Sequence, residues 1–121
     1  MPATRAQLEM EYAEATLTWA RQTLELTDFE IGGALGVDRK TVQRWRERRS
    51  VPSVTHRRQM ERLHQLRHLL ETSFRTPEAG QRWLHTPAPG LGGRSPLGVL
   101  GEGELDAVIQ LLGTLAAGAF R

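Results

Sequence analysis

Between Thr27 and Trp45 the apolar residues fall at helical spacing on both sides of one glycine, Gly36, and no other feature constrains the fold as tightly. Thr27 and Glu30 form a capping-box pattern in which the hydroxyl and the carboxylate each satisfy an orphan backbone N–H, so a helix is predicted to start at Asp28. Ile31, Ala34 and Leu35 carry it to Gly36, where a left-handed backbone can end it without a Cβ clash. Asp38 then caps another helix, with Val42 and Trp45 facing inward. Gly32 supplies the small residue needed where two short helices cross closely, while Ile31 and Leu35, then Val37, Val42 and Trp45, supply the two inner faces.

The helical period recurs along the chain. Over residues 4–26, Leu8, Tyr12, Ala15 and Trp19 follow one another at three and four, beside Leu17 and Leu24, and predict a core-facing helix. Met60, Leu63, Leu66, Leu70 and Phe74 predict a long helix from about Val54 to Phe74. Pro77 is placed to begin the next, running to about His85 with Trp83 and Leu84 as anchors. Residues 86–93 are too rich in Pro and Gly for regular structure and are expected to form a loop. Ser95 and Pro96 are the N-cap and first residue of a short helix over Leu97 to Leu100, and a last helix carries Leu105, Val108, Ile109, Leu111, Leu112 and Leu115. The expectation is an all-α chain: a helix-turn-helix bundle over residues 1–53, a long bridging helix over 54–75 and a small helical domain over 76–121.

Charge is segregated. Residues 1–38 carry 2 Arg against 7 acids, residues 39–67 carry 10 Arg or Lys against Glu47 and Glu61, and residues 68–121 carry 4 against 5. A concentrated basic block attracts a polyanion, because each neutralised phosphate releases counterions. A generic helical hairpin shares the apolar pattern of 28–47, but its outward positions here are Arg39, Lys40, Thr41, Gln43, Arg44 and Arg48. Arginine can hold guanine bidentately and glutamine can hold adenine in the major groove, so Lys40, Gln43 and Arg44 are assigned to base edges. Arg39, Thr41, Arg48 and Arg49 are assigned to phosphates, which set register and affinity rather than sequence preference.

Other classes of function are disfavoured. The chain of 121 residues is short for an enzyme with a broad cavity, and it has no cysteine for disulfides or thiolate metal sites. No apolar run approaches the roughly 20 residues that cross a bilayer, and Glu9, Glu11 and Glu14 stand where a signal peptide is apolar. A cytoplasmic protein without membrane contact is expected. His64 and His68 share a helix face but lack a third ligand in their segment, and no nucleophile, glycine-rich phosphate loop or acid/base pair is evident. Neither metal nor cofactor nor enzymatic activity is expected.

Two resemblances sharpen this. In helix order and in residues such as Gly36 and Val42, followed by Trp45, Arg46 and Glu47, the basic region resembles the Xre and Cro-like regulators of bacteria and phages. Residues 83–100 join a Trp-Leu, a Pro-containing loop, a Leu-Gly-Gly turn and a Ser-Pro-Leu helix start, with Gly118 and Phe120 further on. That order resembles the C-terminal toxin-binding domain of the Xre/MbcA/ParS antitoxins. The resemblance implies a type II toxin-antitoxin system in which a RES-domain, NAD-degrading toxin is bound and double-stranded operator DNA is repressed. It also implies that Gly118, Phe120 and Arg121 face the toxin pocket, Arg121 and the terminal carboxylate as polar contacts. Leu105, Val108, Ile109 and Leu112 have the spacing of helix-in-groove anchors and are assigned to the toxin as well. A homodimer and a higher toxin-antitoxin complex are the expected assemblies, the homodimer because two half-sites must be spanned together. The alternative is a stand-alone regulator whose C-terminal domain only dimerises.

Overall fold

The computed structural model describes residues 2–118. They form seven α-helices and one short 3-10 turn, and no strand occurs among them: α1 (Arg5–Gln22), α2 (Asp28–Leu35), α3 (Arg39–Arg46), α4 (Val54–Ser73), α5 (Pro77–His85), the 3-10 turn (Pro89–Leu91), α6 (Pro96–Gly101) and α7 (Leu105–Gly118). The all-α class is therefore the observed one.

Local chemistry sets most of the helix starts. Thr4 with Gln7 and Thr27 with Glu30 make reciprocal capping boxes, and the hydroxyls of Ser53, Thr76 and Ser95 accept from backbone N–H groups in the first turns of α4, α5 and α6. Gly36 ends α2 at φ 74°, the left-handed region open to a residue without Cβ. One stop was not legible. Arg48, not a glycine, adopts φ 59° just after α3, and its guanidinium is held by Glu14 of α1.

Packing centres on α4, which contacts α1, α2, α5 and α7, while α2 contacts α3 on one side and α6 on the other. Leu17, Ile31, Val42, Met60, Leu63, Leu66, Leu84, Val99, Leu100 and Leu112 belong to one continuous buried cluster. Burying such side chains contributes about 1.5–3 kcal/mol each before conformational entropy is counted. The α2·α6 contact is a backbone approach. A Cβ on Gly33 would lie 2.6 Å from the carbonyl oxygen of Gly101, so only glycine permits this spacing.

Two expectations are corrected here. The stripe Leu8, Tyr12, Ala15 and Trp19 does not as a whole face the core: Leu8 is 55% exposed and Tyr12 37%, and Ala15 is also exposed. The buried face is Ala13, Thr16, Leu17 and Ala20, with Trp19 at its edge, because small residues let α1 approach its neighbours. The proline-rich loop contains a 3-10 turn over Pro89–Leu91, pinned where the Ala88 carbonyl accepts from Leu91 and Gly93.

Candidate nucleic-acid and partner interfaces

The first candidate surface is the outer face of α3. Asp38 begins the helix by accepting from the Thr41 N–H at 2.9 Å, and the Thr41 side chain, followed by this backbone bond, holds its carboxyl below the usual carboxylate range. Val42 and Trp45 are buried beneath, which fixes the opposite side of the helix outward. Arg39, Lys40 and Arg44 are exposed, with Thr41 and Gln43 half-buried between them. Arg44 donates to the Thr41 hydroxyl at 3.0 Å, so the two side chains are positioned as a pair. Among the described residues, Arg39, Lys40 and Arg44 form no ion pair.

The other basic positions are already engaged. Arg48 is turned back to Glu14, Arg49 lies 3.6 Å from Glu47, and Arg46 bonds the buried Asp28 at 2.8 Å. Arg21 approaches the second oxygen of Asp28 at 2.7 Å. Burial pushes the Asp28 carboxyl upward, but the two guanidinium groups outweigh it and its pKa falls below the ordinary value. One carboxylate thus binds α1, α2 and the end of α3 together. Sequence reasoning missed this triad, since residues 18 apart give no local signal.

The second candidate surface is the outer side and end of α7. Leu105, Val108, Ile109 and Leu112 lie in the core, 2%, 0%, 7% and 1% exposed, on the helix that packs most extensively against α4. Their surface is covered by the chain itself. As free anchors for a partner groove they are therefore corrected to packing residues, and their helical spacing reflects an intramolecular seam. The open face of α7 is made by Asp106, Gln110, Thr114, Leu115 and Gly118, with Leu115 49% exposed. Phe120 and Arg121 lie outside the described residues.

The connection to α7 is braced. Gly92 and Gly93, at φ 69° and 83°, turn the chain, and Arg94 then reaches Glu104 at 3.0 Å and also pairs with Glu102. Trp83 packs against Phe74, ring centres 6.0 Å apart. His64 faces Tyr12 at 5.1 Å between ring centres. Among the described residues no group of His, Asp or Glu is arranged to hold a metal ion, and no helix is long and apolar enough to cross a membrane.

The chain is thus a small all-helical scaffold with a basic helix face that forms no ion pair through Arg39, Lys40 and Arg44 among the described residues, and with a separately braced α7. Residues 65–118 match the family described as the antitoxin Xre/MbcA/ParS C-terminal toxin-binding domain, which makes the chain Xre/MbcA/ParS-like in its C-terminal part. The match begins within α4, ahead of the residues that carry the resemblance in sequence. A chain in the crystal structure of the M. tuberculosis MbcT-MbcA toxin-antitoxin complex has the same fold, with TM-score 0.57 and 25% identity over 89% of this chain and 96% of that one. No curated protein matches the chain. The domain match and this structural likeness support an antitoxin role.

Proposed function

We propose that the chain is the antitoxin of a type II system, that it inhibits a RES-domain, NAD-degrading toxin, and that as a dimer it represses its own operon. The match of residues 65–118 to a toxin-binding domain is the observation that carries the proposal. Residues 76–121 do the toxin binding, through the open face of α7 with Gly118 at its end, and through Phe120 and Arg121 of the sequence that follows. Residues 1–53 bind operator DNA as a helix-turn-helix, and 54–75 join the two parts. Because Arg39, Lys40 and Arg44 lack ion-pair partners among the described residues, their charge is available to DNA, with Gln43 beside them. Arg48 and Arg49 contribute at the flank.

Co-expression with the neighbouring gene product tests this. The two chains are expected to purify as one complex, and the NAD consumption of the partner is expected to fall when this chain is added. A partner that stays separate and retains full activity overturns the proposal. For the DNA part, a gel shift with the operon's own upstream duplex should weaken steeply as salt is raised; no shift at low ionic strength removes that part.

A further inference from the structure

Leu8 and Tyr12, the exposed part of the predicted α1 stripe, border a groove of about 430 Å3 between α1 and α4. Its apolar lining is Leu8, Tyr12, Pro52 and Met60. Leu8 stands out at 55% exposure, while Met60, at 1%, lies at the floor. Two neighbouring apolar side chains on α1 are thus left open beside a concave wall, a shape into which an apolar side chain of a partner can be seated.

The charges around the groove say what kind of partner covers it. Two cations, Arg5 and Arg57, and two anions, Glu9 and Glu61, line it, so it is balanced and suits neither a polyanion nor a strongly basic peptide. Glu9 is taken by Arg5 at 3.4 Å and Arg57 at 2.8 Å. Glu61 has no cation within ion-pair distance among the described residues, and Arg5 is 86% exposed. Arg5 opens α1, whereas Glu61 faces Tyr12 about two turns further along. Glu61 shares its side of α4 with Arg58 and Arg62, of which Arg62 is held by Asp106 at 3.3 Å. A two-fold axis through the groove brings the exposed Arg5 of one copy toward Glu61 of the other, as a self-complementary interface requires.

We infer that the α1–α4 groove is the homodimer interface, with Leu8 of each copy seated in the groove of the other against Tyr12 and Met60, and Arg5 paired across the axis with Glu61. This deepens the dimer in the functional reading above by naming its surface. It also leaves the outer faces of α3 and α7 outside the contact.

Sedimentation velocity on the full chain is expected to show twice the protomer mass at micromolar concentration. Leu8→Glu should raise the dimer dissociation constant by more than about 30-fold, and Glu61→Arg should weaken it as well by facing Arg5 with like charge. Both positions are exposed, so the far-UV circular dichroism spectrum should match wild type, and the melting temperature should fall only by what the lost association contributes. Phe29→Glu, at another exposed apolar site, should leave the dimer intact. A wild-type chain that is monomeric throughout, a Leu8→Glu chain that dimerises normally, or dissociation in Phe29→Glu alone overturns the inference. Capture of the toxin by monomeric Leu8→Glu keeps this result separate from the antitoxin reading, which fails only if wild type captures no toxin.

Discussion

Arg46, at the end of α3, donates to Asp28, at the start of α2, over 2.8 Å, and this bond is closed on the far oxygen by Arg21 of α1. Asp28 is 6% exposed, whereas the side chains of Arg46 and Arg21 are 28% and 41% exposed, so the carboxylate is the buried member. The angle at which α2 meets α3 thus depends on a charge as well as on Ile31, Val42 and Trp45.

Asp28→Asn should therefore destabilise the chain by about 1–3 kcal/mol, because the charge is lost and one acceptor oxygen becomes an NH2 that faces a guanidinium. The pH dependence has a definite sign. The folded-state pKa of Asp28 lies below its unfolded value of about 3.9, so its contribution is present above that pH and is lost as pH falls through the folded value. Urea unfolding at pH 7 and pH 3 should show a large Asn-for-Asp difference at the first and a smaller one at the second. Equal differences at both would remove the role given to ionised Asp28.

Glycine substitutions should separate crowded positions from open ones. Gly33→Ala places its Cβ 2.6 Å from the Gly101 carbonyl oxygen, backbone against backbone, and should cost about 1–3 kcal/mol as α2 and α6 move apart. Gly113→Ala meets nothing within 4 Å inside α7 and should stabilise by about 0.5–1 kcal/mol. Thermal melts of the two variants should shift in opposite directions.

The helix starts were legible because capping is local: Thr27 with Glu30, Asp38 and Ser95 each act within one turn, and each begins a helix as its spacing implies. Which face of α1 is buried was not legible. Leu8, Tyr12, Ala15 and Trp19 make one helical stripe, while Ala13, Thr16, Leu17 and Ala20 make another. Crossing distance, a tertiary property, selected the one with smaller side chains. The same reason hid Gly33, which looks redundant beside Gly32 until α6 is brought against it. The α3 candidates are visible in sequence as types and positions, yet the retention of Arg48 by Glu14 depends on a contact 34 residues away.

That contact predicts unequal effects on DNA binding. Arg44→Ala should lower operator affinity by about 1–3 kcal/mol, the range for loss of a good base-edge contact. Arg48→Ala should cost less, since its guanidinium must leave Glu14 before it can reach a phosphate. Fluorescence anisotropy with the operator duplex checks this at fixed salt, and a larger loss for Arg48 than for Arg44 would reverse the assignment.

On α7 the buried seam and the open face should respond to different measurements. Leu112 is 1% exposed against the core, so Leu112→Ala should cost about 2–5 kcal/mol of stability through lost burial and a residual cavity. Any weakening of toxin binding should then follow the fraction of unfolded chain. Leu115 is 49% exposed one turn before the described helix ends, so Leu115→Glu should leave the melt near that of wild type and still weaken capture of the toxin. Calorimetric titration of the toxin at a temperature where both variants are folded distinguishes the two effects. Wild-type affinity for Leu115→Glu, with reduced affinity for fully folded Leu112→Ala, would return the partner contact to the seam and require α7 to lift from α4 on binding.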